Sequence, residues 1–99
     1  MKAGGFAIPV GHPALAGHFP DLPVVPGSMV LERVLALWGE PYHAVTRVKF
    51  FAPLRTGIQV EVAFEALSSG ASRFVCRSDA GMLCSGRIEA VPRTVPRNP

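Results

Sequence analysis

One segment of this chain can form a helix of useful length, and everything around it reads as strand or turn. Residues 27–38, GSMVLERVLALW, set Val30, Leu31, Val34, Leu35, Leu37 and Trp38 almost all the way round a helical wheel. A helix that is apolar on all sides is a buried one. Ser28 or Gly27 can cap its start behind Pro26, and Gly39 with Pro41 ends it near Trp38. From Tyr42 the chain turns to β-branched and aromatic residues. YHAVTRVKFFAPL predicts one strand and GIQVEVAFEAL the next, with apolar side chains alternating at Ile58, Val60, Val62 and Phe64. SSGA and DAG are turns that set off two further strands, SRFVCRS and MLCSGRIEAV. Upstream, residues 5–10, GFAIPV, predict a short edge strand, since Pro9 is tolerated only at an edge. A sheet needs its apolar face covered, and one helix is available to do it. The expected architecture is α+β: a curved antiparallel sheet wrapped around one central, buried helix.

Ninety-nine residues make one domain, expected over residues 1–91, with the proline-rich PRTVPRNP of residues 92–99 as a mobile tail. The apolar share is 48% and the charged share only 17%, more apolar surface than so small a domain can bury alone. A homodimer or higher oligomer is therefore expected. Charge is uneven. Residues 1–46 carry two cations against three acids, net −1, while residues 47–99 carry eight cations against four acids, net +4. The basic half could meet an acidic partner. Its cations do not cluster and no nucleic-acid-binding signature is present, which argues against nucleic acid. Pro26, Arg33 and Glu40 interrupt the longest apolar stretch, so no membrane insertion is expected, and MKAGGFAIPVG lacks the apolar core of a secretory signal. Cys76 and Cys84 flank a turn and read as reduced, buried thiols of a cytoplasmic protein. Without histidine, cysteine and carboxylate at ligand spacing, neither a metal site nor a cofactor is implied.

Two residues do not belong where they stand. Glu32 lies on the apolar helix, and the positions three and four away hold Ser28, Met29, Leu35 and Ala36, none of them a cation. A carboxyl buried without a cation is kept protonated toward neutrality and can donate a proton. The other reading is that Glu32 simply reaches solvent. Small neighbours on its stripe, Ser28, Ala36 and Gly39, leave room for a ligand. His18 sits between Gly17 and Phe19 just before Pro20, in an extended segment of little freedom. His12 and His43 have no such setting. The backbone N–H groups of Gly27 and Ser28 open the helix, where a developing oxyanion is stabilised. A base, an acid and an oxyanion site suit proton abstraction beside a carbonyl with loss of a leaving group.

GHFPDLPVVPGSMVLE, residues 17–32, resembles the active-site motif of the β-hydroxyacyl-[acyl carrier protein] dehydratases, through His18, Phe19, Pro20, Pro23, Pro26, Gly27 and Glu32. VKFFAPLRTGIQVEV resembles the strand–turn–strand that follows the helix in those enzymes. The resemblance implies the hot-dog fold and a short-form dehydratase of carrier-bound (3R)-hydroxyacyl thioesters, in fatty-acid or specialised acyl biosynthesis such as that of polyene pigments. It implies His18 as the base at C2, Glu32 as the acid for the departing hydroxyl, and the Gly27 N–H as the carbonyl donor. It further implies a site shared between two subunits, and an acidic acyl carrier protein as partner. Asp21 stands where the family usually has glycine, Arg33 where it often has alanine, and Ala36 where many members carry glutamine. The competing readings are a hot-dog acyl thioesterase and a non-catalytic acyl-carrier binding module.

Overall fold

The computed structural model describes residues 2–9 and 24–91; His18, Asp21 and the 92–99 segment lie outside the described residues. The elements run β1 (Lys2–Phe6), α1 (Gly27–Trp38), β2 (Ala44–Phe50), β3 (Val60–Ala66), β4 (Ser72–Ser78) and β5 (Gly81–Glu89). Five strands form one antiparallel sheet in the order β1-β3-β4-β5-β2. The first strand is at an edge, as expected, but it occupies Lys2–Phe6 rather than residues 5–10, and Pro9 lies beyond it. β2 does not pair with β3. It crosses to the far edge and pairs with β5 from Ala44↔Glu89 to Phe50↔Cys84.

Alternation builds the core. Val60, Val62 and Phe64 of β3 are buried and face Phe74 and Cys76 of β4, with Cys84 and Ile88 from β5. Ile58, at the head of that alternation, precedes the strand and is exposed. Two bulges set the register. Between Cys76 and Arg77 the β4–β5 pairing shifts by one residue, which brings Cys76 opposite Cys84. Between Thr46 and Lys49 two residues, Arg47 and Val48, oppose the single Gly86. Arg47 takes φ 52 there, the left-handed conformation that glycine normally supplies in such a bulge.

The helix is ended as expected. Gly39 takes φ 67 and its N–H returns to the Leu35 carbonyl. Its start differs: the N-cap position is Pro26, and neither Ser28 nor any other side chain caps it. The larger difference is burial. Only Val30 and Val34 are buried; Met29, Leu31, Leu35, Leu37 and Trp38 are half-buried, and Ser28, Glu32, Arg33 and Ala36 are exposed. An apolar periphery says that a helix has to be covered, not by what. The sheet of one chain covers one side of α1 and leaves the other open. Lys2 ties β1 to the helix end, its ammonium 4.7 Å from the Trp38 ring centre and hydrogen-bonded to the Trp38 carbonyl.

Candidate active site

The start of α1 is fixed by a short backbone splice. Val24 bridges to Arg55, and the Val25 N–H donates to the Leu54 carbonyl at 2.8 Å. Pro26 fixes φ before the first turn, and its carbonyl accepts from the Met29 and Val30 N–H groups. The Gly27 and Ser28 N–H groups precede the first intrahelical bond and are left at the positive end of the helix dipole.

Gly27 opens onto an apolar cavity of about 430 Å³ between the start of α1, the β2–β3 connection and β5. Val25, Val30, Leu54 and Leu83 form its walls, and Phe50 and Phe51 stand at its rim. Cys84 lines the same space. Its partner across the sheet, Cys76, donates a hydrogen bond to it; that bond and burial push the Cys76 thiol far above its ordinary range. Accepting the same bond lowers the Cys84 pKa, against the effect of burial. Cys84 is 1% exposed, so it is a wall of the cavity rather than an accessible nucleophile. Both cysteines are free, as the composition suggested.

The structure separates the predicted residues. Gly27 lines the cavity; Ser28 and Glu32 do not. Glu32 lies two positions from Val30, about 200° around the helix. When Val30 faces the sheet, Glu32 faces away from it. Of the two readings of Glu32, the exposed one holds within its own chain: its side chain reaches solvent, on the stripe it shares with Ser28 and Ala36. The stripe of small residues is real, but it is an open surface.

A second cleft, of about 460 Å³, lies on the opposite face of the β2–β5 ribbon. Arg47, Lys49, Arg73 and Arg87 line it with Ser85, and the described lining residues include no carboxylate. Beside it the Thr46 hydroxyl donates to Glu89 at 2.6 Å; this bond, with Arg87 and Arg47 nearby, holds the Glu89 carboxyl below its usual range. Glu89 is thereby an ionised partner for Arg87, whose Nε is 3.1 Å away. This basic groove gathers cations that look scattered along the chain. The pairing of β5 with β2 on one side and β4 on the other, with the bulge at Arg47, brings them together.

Residues 3–87 match the ApeI-like family, described as ApeI dehydratase. The chain belongs to the ApeI-like dehydratase family. Among curated relatives of this dehydratase, it is 30% identical over 105 residues to the 3-hydroxyacyl-[acyl-carrier-protein] dehydratase FabZ of Vibrio cholerae, covering 87% of this chain and 69% of the relative. To FabZ of Psychromonas ingrahamii it is 27% identical over 107 residues, covering 89% and 71%. The fold matches a chain of the dehydratase heterocomplex ApeI:P from Xenorhabdus doucetiae with a TM-score of 0.71 at 20% identity, over 88% of this chain and 83% of that one. It also matches a fluoroacetyl-CoA-specific thioesterase, FlK, with a TM-score of 0.58 at 20% identity, over 89% and 84%. The ApeI-like dehydratase thus has the hot-dog architecture expected of it, one antiparallel sheet with one helix.

Phe50 is the site residue that sequence reading missed. Alternation along β2 marks it only as a strand residue. The available signal was Gly27 itself, since a glycine in a first helical turn can mark a bulky group packed against the backbone.

Proposed function

We propose that this chain is a hydro-lyase that converts (3R)-hydroxyacyl thioesters of acyl carrier protein to trans-2-enoyl thioesters. The observation that carries the reading is Gly27, the first residue of α1, at the wall of an apolar cavity, in a chain of a dehydratase family. A thioester carbonyl oxygen accepting from Gly27 would gain stabilisation as charge builds on it when the C2 proton leaves. His18 takes that proton. Glu32 delivers one to the 3-hydroxyl, the C3–O bond breaks, the C2–C3 double bond forms, and one water departs.

Because Glu32 faces away from the cavity of its own chain, each site draws its acid from a second copy. The exposed Ser28–Glu32–Ala36 stripe, the half-buried Leu31 and Leu35 and the exposed Phe50 and Phe51 are surface for such a homodimer to cover. The setting we assign is the cytoplasm, consistent with free thiols at Cys76 and Cys84. The pathway is bulk fatty-acid or specialised acyl synthesis. Incubating the protein with a (3R)-3-hydroxyacyl carrier protein should give the enoyl product, read as loss of one water by mass spectrometry. Release of free thiol instead would make it a thioesterase, and binding without chemistry a non-catalytic module; either outcome overturns the proposal.

The basic groove is the surface we assign to the acidic carrier. Reversing charge with Lys49→Glu and Arg73→Glu should raise KM for carrier-borne substrate several-fold, most at low salt where screening is weak. Turnover of a pantetheine thioester without the carrier should be unchanged. An equal effect on both substrates would remove the groove from carrier binding.

A further inference from the structure

The β2 strand ends with Phe50, and its ring points end-on at the first turn of α1. A Cβ built on Gly27 would lie 2.7 Å from Phe50 Cζ and 3.1 and 3.2 Å from the two Cε atoms. No real Cβ tolerates the shortest of these, so the ring occupies the place where a side chain at position 27 would go. Both residues line the cavity, and Phe50 remains 51% exposed at its rim. The ring is therefore one boundary of the space beside the Gly27 N–H.

A carbonyl oxygen bound to that N–H lies about 2.9 Å from the nitrogen, and C2 of an acyl chain is two short bonds further on, within roughly 5 Å. That distance puts C2 within reach of the Phe50 ring, which stands beside the same residue and lines the same cavity. A hydrogen at C2 takes little room there, whereas a methyl group would compete with the ring for space. The chain beyond C3 runs on into the apolar space bounded by Val30, Leu54 and Leu83.

We propose that Phe50 is a specificity-determining residue that restricts this site to acyl chains unbranched at C2. The inference rests on the acyl thioester reading above and adds a residue and a substrate class to it. Its test is a binding measurement that needs no chemistry. Saturated acyl-pantetheine thioesters lack the 3-hydroxyl and cannot be dehydrated, so butyryl- and 2-methylbutyryl-pantetheine can be compared by isothermal titration. The wild type should favour the unbranched ester about tenfold or more, the scale on which a pocket discriminates one carbon. Phe50→Ala should bring the two affinities within about twofold, with Phe50→Leu in between. Gly27→Ala should weaken butyryl-pantetheine binding in the wild-type background and much less in Phe50→Ala, because the clash is with that ring. Melting curves confirm that each variant is folded. Equal wild-type affinities, a ratio unmoved by Phe50→Ala, or no binding of either ester would overturn the proposal. If the ratio behaves as expected but the (3R)-3-hydroxyacyl carrier protein is not dehydrated, the dehydratase reading fails and the Phe50 boundary stands. If dehydration is seen and the ratio does not move, the reverse holds.

Discussion

Replacing His18 by alanine should lower turnover roughly 10²-fold or more, the usual scale for a lost general base, and Glu32→Gln should do the same if it is the acid. Glu32→Gln should leave the helix intact, because the residue is exposed in its own chain and glutamine has nearly the same shape. Substrate affinity should change little in either variant, since groups in the proposed roles act on protons in flight rather than on the thioester in its ground state. The two variants, mixed after unfolding and refolding, should recover activity. In a dimer whose sites each take His18 from one subunit and Glu32 from the other, the mixed dimer keeps one intact site. Random pairing then restores about a quarter of the wild-type sites. Absence of recovery would put both groups in one subunit and contradict the orientation of Glu32 on α1.

That orientation shows where sequence reasoning reaches and where it stops. The helix, its end at Gly39 and the alternation of Val60, Val62 and Phe64 follow from local chemistry, and all three are found where expected. The oddness of Glu32 was also legible, as a carboxylate on an apolar wheel. What the wheel cannot show is which side the sheet takes. Val30 and Val34 take it, and Glu32 is left outside. The placement of β2 beside β5 was hidden for a related reason. Strand order is a property of non-local pairing, and nothing in YHAVTRVKFFAPL names its partner. The contact of Phe50 with Gly27, the basic groove and the facing of Cys76 and Cys84 all depend on that pairing or on a bulge. Register shifts of one residue exchange the faces of a strand, and no periodicity in the sequence announces them.

The β4–β5 pairing sets the largest stability effect we expect. Phe74 is fully buried, and its ring is packed against the β5 backbone at Gly86. Phe74→Ala removes a whole ring from the core and should cost about 3–5 kcal/mol. A domain of this size holds only about 5–15 kcal/mol in total, so the variant should be partly or wholly unfolded at 37 °C. The glycine side of the contact gives an independent check. A Cβ on Gly86 would stand 2.6 Å from Phe74 Cε2 and Cζ and 3.2 Å from Val48 Cγ2, and the fully buried Phe74 ring cannot swing into solvent. Gly86→Ala should therefore destabilise by roughly 1–3 kcal/mol through overpacking, although alanine ordinarily suits a strand better than glycine. At about 4–8 °C per kcal/mol, both losses are large in a thermal melt followed by circular dichroism at fixed protein concentration. The two changes should not add. With the ring trimmed by Phe74→Leu, the Gly86→Ala methyl group has space to enter, and the double variant should melt above the sum of the single losses. Strict additivity would mean that the ring and the glycine do not meet, and with that the β4–β5 register through Cys76 and Cys84 would have to be redrawn.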